Sequence, residues 1–154
     1  MKTRQMGVDN TDRRILVELR KDCRRSYRSL AKAIGLSPAA LIERIKRLEK
    51  DDVIVGYGVR LDYLKLGFEF MAVVRINISG RDLMAVEKRI AKMPHVAAIW
   101  DTTGEYDAIA VVMCKSRNEL SATVKKMLAL PGVEGTNTNM VLNTVSRLTD
   151  FEEV

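Results

Sequence analysis

The chain has 154 residues, a formal net charge of +6 and the apolar content of an ordinary globular protein, which suits one domain or two small ones. No apolar run approaches the roughly 20 residues that span a bilayer, and the N-terminus lacks the apolar core of a signal peptide. We therefore expect a cytoplasmic protein without membrane contacts. Cys23 and Cys114 lie far apart and outside any Cys-x-x-Cys arrangement, so they predict neither a disulfide framework nor a zinc site. We expect neither a metal nor a cofactor.

The excess of positive over negative charge lies in the N-terminal part of the chain. Residues 1–60 contain 15 Lys and Arg against 8 Asp and Glu, whereas residues 61–154 contain 11 against 12. A polyanion such as nucleic acid is steered toward a basic surface. Basic proteins that never meet nucleic acid also exist, so the asymmetry supports nucleic-acid binding without proving it.

Three helices are predicted in this basic part. The first begins at Asp9 or Asn10, whose side chains can accept a backbone N–H, and runs to about Asp22. The next two form a helical hairpin over residues 26–50 that is broken at Gly35. Its second helix has the strong start of a serine, Ser37, followed by a proline at the first helical position.

The last of these helices combines an apolar stripe with a basic face. The stripe consists of Leu41, Ile45 and Leu48, and the basic side chains project elsewhere: Arg44, Lys46, Arg47 and Lys50. Two short helices joined by a tight turn, the second of which enters the DNA major groove, form a helix-turn-helix. A structural helical hairpin with a solvated basic face has the same pattern, and this stretch alone does not separate the two.

A partly extended connector is predicted over residues 53–67, after which the periodicity changes from helical to a two-residue alternation. A strand is predicted from Phe68 to Ser79, then a helix over 81–92 and strands over 95–103 and 106–114. Ser116 and Glu119 have the spacing of a capping box that opens a further helix. A last strand is predicted over residues 133–145.

The second half of the chain is internally repeated, since each part runs strand, helix, proline, strand, with Pro94 and Pro131 37 residues apart. A doubled β-α-β unit is the plan of a ferredoxin-like fold, with both helices on one face of an antiparallel sheet. The third predicted strand is apolar on both sides, so something must cover the face that has no helices. A second copy of the chain would do so, giving a homodimer through face-to-face sheets.

The sequence therefore predicts an α+β chain, with a three-helix helix-turn-helix domain over residues 1–52, a linker over 53–67 and a ferredoxin-like βαββαβ domain over 68–154. From about Val8 to Val145 it resembles the Lrp/AsnC, or feast/famine, family. The resemblance is carried by the order of several motifs: Asp12 with Ile15-Leu16, LAKAIGLSP, ERIKRLE, IVGYGVRLDYLKLG, TGEYD at 103–107 and PGVEGTNTNMVL at 131–142. It implies a DNA-binding transcriptional regulator whose second domain dimerises, assembles further, often to an octamer, and commonly senses an amino acid.

In a helix-turn-helix, the N-terminal half of the last helix faces the base edges of double-stranded DNA while neighbouring groups contact phosphates. The candidate DNA-binding residues are Tyr27, Arg28, Ser29, Ser37, Ala39, Ala40, Glu43, Arg44, Lys46 and Arg47. Arg44 is expected to bind guanine, and Lys46 and Arg47 to lie nearer the phosphates. Glu43 either accepts from cytosine N4 or pairs with Arg47 one turn on, and the pairing is favoured.

The resemblance places an amino-acid effector near TGEYD, between dimers. The candidate effector-binding residues are Gly104, Tyr106, Asp107, Thr136 and Thr138. Backbone N–H groups around Gly104 would hold the α-carboxylate, Asp107 the α-ammonium group, and the threonines the effector side chain. An ordinary hairpin turn with Asp107 as a surface acid is the alternative.

An enzyme is disfavoured by the residues available for chemistry. His95 lies beside a proline at a predicted helix end, Cys114 lies in an apolar strand without a histidine nearby in sequence, and no glycine-rich phosphate loop precedes a helix. A nucleoid-type protein that wraps DNA with little sequence preference is the alternative to a sequence-specific regulator, because both would have a basic helical domain and an assembling second domain. The sequence does not identify the effector, the target promoters or the size of the assembly.

Overall fold

A computed structural model of the protein describes residues 7–80 and 82–146. Its contacts divide the chain into two compact units, one formed mainly by the residues up to Arg60 and the other by Leu61–Val145. This division falls inside the connector expected over residues 53–67. Within the described ranges, no helix is both long enough and apolar enough to cross a membrane.

The first unit contains the three predicted helices, α1 (Asn10–Lys21), α2 (Tyr27–Ile34) and α3 (Pro38–Lys50). A side chain caps the start of each: Asp9 for α1, Ser26 for α2 and Ser37 for α3. Helix α2 ends at Gly35, whose φ of 79° closes the helix in the left-handed conformation that glycine adopts without strain. The predicted starts of α1 and α3 and the break at Gly35 are confirmed.

The core of this unit is formed by one apolar stripe from each helix. Its buried members are Ile15, Leu19, Leu30, Ala31, Ile34, Leu41, Ile45 and Leu48. Each large side chain buried in this way contributes about 1.5–3 kcal/mol to stability. The stripe predicted on α3 is therefore the surface by which α3 packs on the other two helices, and its remaining faces are free for other contacts.

The second unit is the predicted ferredoxin-like fold. Its elements are β1 (Phe70–Ile78), α4 (Leu83–Ala91), β2 (Val96–Asp101), β3 (Ala108–Cys114), α5 (Arg117–Leu128) and β4 (Val133–Met140). The strands form an antiparallel sheet in the order β2-β3-β1-β4. The two β-α-β halves thus interleave, which confirms the fold class.

Several element boundaries differ from the prediction. Strand β2 covers Val96–Asp101 instead of residues 95–103, and β3 begins at Ala108 instead of residue 106. Strand β1 begins at Phe70 instead of Phe68, because the Phe68 N–H donates to the Tyr63 carbonyl in a turn. Strand β4 ends at Met140, paired with Ala72, instead of at residue 145, and one further hydrogen bond joins the Val141 N–H to the Met71 carbonyl. At the start of α5, Ser116 accepts the Glu119 N–H as predicted, but the Glu119 carboxylate accepts from Lys115 N–H and not from Ser116.

The two faces of the sheet have different environments. On one face, the side chains of β1 and β3 are buried under α4 and α5: Ala72, Val74, Ile76, Ala108, Ala110, Val112 and Cys114. On the other, which we call the open face, apolar side chains are half-buried and no described helix covers them: Met71, Val73, Ile109, Val111 and Met113. Strand β3 is apolar on both faces, as predicted.

Candidate DNA-binding surface and effector segment

The outward surface of α3 is polar and partly basic. Opposite the buried stripe, α3 and its cap expose Ser37, Ala39, Glu43, Lys46, Arg47 and Lys50, and Ala40 is half-buried. The Ser37 Oγ accepts the Ala40 N–H at 3.2 Å, which fixes the first turn of the helix. Most of the candidate DNA-binding residues of α3 are therefore gathered on one accessible surface.

The guanidinium groups of Arg44 and Arg47 are turned toward α1. Arg44 Nη1 donates to Asp9 Oδ2 at 2.6 Å and to Asp12 Oδ1 at 2.8 Å. Arg47 donates to the other oxygen of Asp12, Oδ2. We call Asp9, Asp12, Arg44 and Arg47 the Asp12 cluster. The base contact expected of Arg44 stays a prediction, and the structure gives this side chain a second role in joining α3 to α1.

The Asp12 cluster satisfies a carboxylate that is fully buried. Asp12 is 0% exposed, and its Oδ2 also accepts the Asp9 N–H at 3.1 Å. The hydrogen bond from Arg44 is the main reason that the pKa of Asp9 is lowered, and the same carboxylate raises the pKa of Arg44. The favoured pairing of Glu43 with Arg47 is wrong in this structure, because Arg47 is turned toward Asp12.

The start of α2 carries the other candidate DNA contacts. Tyr27, Arg28 and Ser29 are all exposed. The Ser29 hydroxyl accepts from Arg25 Nε at 3.0 Å, and Arg25 also forms an ion pair of 2.9 Å with Glu18 of α1. Arg25 and the cap Ser26 are additions to the predicted set. The Ser-x-x-Ser spacing of the cap was readable in the sequence, whereas the pairing with Glu18 depends on the fold.

The TGEYD segment forms a tight turn between β2 and β3. Thr102 N–H donates to the Asp107 carbonyl at 2.9 Å, and Thr102 Oγ1 donates to the Tyr106 carbonyl at 2.9 Å. Gly104 has a φ of 124°, which side chains rarely tolerate. No N–H of residues 103–106 donates to another residue of the described ranges. These groups are therefore available to an anion or to water.

Asp107 is held at the start of β3 by β1. Its Oδ2 accepts the Ile78 N–H at 2.7 Å, and its own N–H donates to the Ile76 carbonyl at 3.0 Å. On α4, the buried Glu87 faces the same end of the sheet, and burial, then Asp101 and Asp107, raise its pKa. Asp107 is therefore a structural partner of β1, with its second oxygen left for a cation.

Tyr106 lies on the open face beside Arg75, a contact that was not predicted from the sequence. The Arg75 guanidinium carbon lies 4.9 Å from the Tyr106 ring centroid. Arg75 Nη2 donates to Asn137 Oδ1 at 2.9 Å and Asn139 Oδ1 at 3.0 Å. A single arginine within the apolar alternation of β1 was the signal that could have revealed this group.

The structure does not bring Thr136 and Thr138 together with Tyr106. They pair with Ile76 and Val74, whose side chains point to the helix-covered face. Asn137 and Asn139, which alternate with these threonines, point to the open face. Thr136 and Thr138 thus lie on the opposite face of the sheet from Tyr106 and cannot share a pocket with it in the same chain.

An open depression of about 570 Å³ lies beside this turn. It is lined by Asp101, Thr102, Thr103, Glu105, Tyr106 and Ile109. Carboxylates border it at Asp101 and Glu105, and a phenol ring and an aliphatic side chain form its apolar part. This combination can bind a small molecule that has both a cationic and an apolar group.

Metal-ligating side chains also meet away from both surfaces, at the opposite end of β3. Ligand atoms of His95, Cys114 and Glu119 lie within 4.8 Å of one another. They come from the turn before β2, the end of β3 and the first turn of α5. Cys114 is buried, and the other two are half-buried.

Comparison with known proteins accounts for both units. Residues 8–49 match the AsnC-type helix-turn-helix domain, and residues 71–151 match the Lrp/AsnC ligand binding domain. An uncharacterised HTH-type transcriptional regulator of Pyrococcus furiosus is 41% identical over 140 residues, which cover 91% of this chain and 95% of that protein.

Solved structures show the same fold along most of the chain. Escherichia coli AsnC has a TM-score of 0.86 at 26% identity, covering 92% of this chain and 96% of AsnC. A transcriptional regulator from Neisseria meningitidis in complex with L-methionine has a TM-score of 0.87 at 25% identity, with 94% and 96% covered. The resemblance seen in the sequence motifs is confirmed, and the chain belongs to the Lrp/AsnC family of transcriptional regulators.

Proposed function

We propose that this regulator recognises a specific DNA sequence through α3 as a homodimer and that an amino acid bound beside the TGEYD turn modulates it. The main support for DNA binding is helix α3. Its start is capped by Ser37, its outward surface is polar and basic, and its opposite stripe is buried. We place this activity in the cytoplasm, on double-stranded DNA, and we assign no catalytic step to the chain.

Within this proposal, the residues near the start of α3 contact bases and the basic residues contact phosphates. Ser37, Ala39, Ala40 and Glu43 belong to the first group because they lie on the exposed first turns of α3. Lys46 and Arg47 belong to the second, together with Tyr27, Arg28 and Ser29, which are exposed at the N-terminus of α2. Arg44 mainly holds α3 on α1.

Footprinting of the full chain on the DNA around its own gene tests the recognition. A specific regulator protects a discrete site made of two half-sites about one helical turn apart, or a multiple of that. Protection that spreads without a defined sequence would favour the architectural alternative. Lys46→Ala should lower affinity similarly on all sequences and reduce the salt dependence by about one counterion, because it removes one phosphate contact.

The dimer is proposed from the open face of the sheet. Five apolar side chains of β1 and β3 line this face and are only half-buried in the single chain, and Trp100 beside them is 49% exposed. A contiguous apolar surface of this kind is normally covered by a partner. A second copy packed sheet to sheet buries it and pairs the two α3 helices, and further assembly of dimers, up to an octamer, would leave the same interface intact.

The effector proposal rests on three groups around the depression. Unpaired N–H groups at residues 103–106 suit an α-carboxylate, and Asp101 and Glu105 suit an α-ammonium group. Tyr106 and Ile109 provide an apolar surface for the effector side chain. The related Neisseria meningitidis regulator was solved with L-methionine, which makes apolar amino acids the first to test. Gly104 and Asp107 shape the turn, and Thr136 and Thr138 would contribute only through another copy of the chain.

Calorimetry against the common amino acids tests this proposal. We expect heat of binding with a subset of them, and at least about tenfold weaker binding in Arg75→Ala, because Tyr106 loses the cation that positions its ring. Arg89→Ala, an exposed arginine of α4, is the matched control and should bind normally. No heat and no change of assembly with any amino acid would leave the TGEYD turn as an assembly contact.

A further inference from the structure

His95, Cys114 and Glu119 converge although they are widely spaced in the sequence. Their ligand atoms lie within 4.8 Å of one another, while 19 residues separate the first pair and five the second. The group contains no Cys-x-x-Cys or His-x-x-x-His spacing, so the sequence does not predict a metal site here. The fold alone creates it, where the start of β2, the end of β3 and the start of α5 meet.

Glu119 and His95 each have a ligand atom to spare, whereas the buried Cys114 thiol forms a hydrogen bond with Thr123. The Glu119 Oε2 accepts the Lys115 N–H at 2.8 Å, which orients the carboxylate and leaves Oε1. The His95 carbonyl accepts the Met113 N–H at 2.8 Å, which fixes the backbone under the ring. Within residues 7–80 and 82–146, the imidazole itself has no hydrogen-bond partner.

The internal repeat gives independent support for the histidine. Pro94-His95-Val96 and Pro131-Gly132-Val133 occupy equivalent turns, and His95 and Gly132 have φ values of 71° and 95°. Glycine adopts this left-handed conformation without strain, whereas a side chain is disfavoured there. The first turn therefore carries, in a strained position, the only histidine of the chain, with its ring next to a thiol and a carboxylate.

We propose that His95, Cys114 and Glu119 form a binding site for a divalent transition-metal ion, with zinc as the best match. Imidazole nitrogen, thiolate sulfur and carboxylate oxygen are the three ligand types that zinc accepts, and calcium or magnesium would not select this set. A tetrahedral zinc ion holds its ligand atoms roughly 3.5 Å apart, so the group closes on the ion by about an ångström. The fourth position is left for water.

Such an ion would add a direct link between three elements that pack on the core at this end of the sheet. Cys114 is fully buried, so the ion enters from the side of the half-buried His95 and Glu119. Cys23 is exposed and belongs to no such group among the described residues, which makes it the internal control.

The test is titration of the metal-free full chain with zinc by calorimetry and with cobalt by absorption spectroscopy. We expect one ion per chain, a thiolate-to-cobalt absorption band, and a higher melting temperature with metal. His95→Asn is the most informative variant, because asparagine tolerates the left-handed backbone, and it should lower zinc affinity at least about tenfold. Glu119→Gln keeps the cap to Lys115 and should have a similar effect. Cys114→Ser should abolish the cobalt band.

The control variant Cys23→Ser should bind zinc and cobalt as the original chain does. Circular dichroism of each variant, recorded before the titration, establishes that it is folded. Equal zinc affinity in the original chain and in folded His95→Asn, or a cobalt band that survives in Cys114→Ser and is lost in Cys23→Ser, would overturn the proposal. So would the absence of any cobalt–thiolate band.

Discussion

The Asp12 cluster makes a prediction about Arg44 that separates a structural role from base recognition. Arg44 is 30% exposed, and its partner Asp12 is fully buried. Exposed ion pairs contribute about 0.2–1 kcal/mol, and breaking a buried pair costs about 3–5 kcal/mol. A buried acceptor with a partly exposed donor lies between these limits. Arg44→Ala should therefore lower the free energy of unfolding of the first unit by about 1–3 kcal/mol.

Denaturant unfolding followed by far-ultraviolet circular dichroism measures this loss. The only tryptophan, Trp100, belongs to the second unit, so its fluorescence reports that unit separately and should change little. Lys46→Ala, on the exposed face of the same helix, is the matched control and should change stability by less than about 0.5 kcal/mol. Equal stability of the two variants would refute the structural role of Arg44.

DNA binding by the same two variants completes the test. If Arg44 mainly positions α3, Arg44→Ala weakens binding to the specific site and to random DNA by the same factor. If Arg44 also binds a guanine, the specific complex alone loses a further ~1–3 kcal/mol. Arg44→Lys should recover only part of the stability, because one ammonium group does not reproduce the geometry of the guanidinium.

Three further predictions follow from other parts of the structure. Val73→Glu, in the middle of the open face, should convert the dimer to monomer, and light scattering that still finds a dimer would argue against that interface. The pKa values of Asp9 and Glu18 are lowered in the folded chain. Their contribution to stability is therefore present above pH ~4.5 and is lost as the pH falls through the folded-state pKa values. Urea unfolding midpoints that stay constant from pH 6 to 3 would contradict this. Gly132→Ala would place a Cβ 3.1 Å from Val86 Cγ2 at a φ of 95° and should lower the free energy of unfolding by about 1–3 kcal/mol, so thermal melting at the wild-type temperature would refute that strain.

Much of the fold was predictable because it depends on local pattern. Ser37 followed by proline gives the start of α3, and the alternation along β1 gives its two faces whatever the partner strands are. The repeated proline turns indicate the doubled β-α-β unit. The ends of the strands were less well placed, because the length of a strand depends on its hydrogen bonds to neighbouring strands and turns as well as on its own alternation.

The site residues were harder to predict because they depend on contacts between distant residues. In the sequence, Arg44 cannot be distinguished from the other basic residues of α3. Only the fold places Asp12 of α1 beside it. On β4, threonine and asparagine alternate, and only the register with β1 decides that Asn137 and not Thr136 shares a face with Tyr106. His95 and Cys114 meet only through the fold.

The most direct test of the central claim is the affinity of the full chain for its footprinted site relative to random DNA of the same length at one fixed salt concentration. A sequence-specific regulator should prefer its site by about 10³-fold or more. Lys46→Ala should weaken both complexes and leave that ratio nearly unchanged. A ratio near one for the original chain would contradict sequence-specific regulation and establish DNA wrapping without sequence preference.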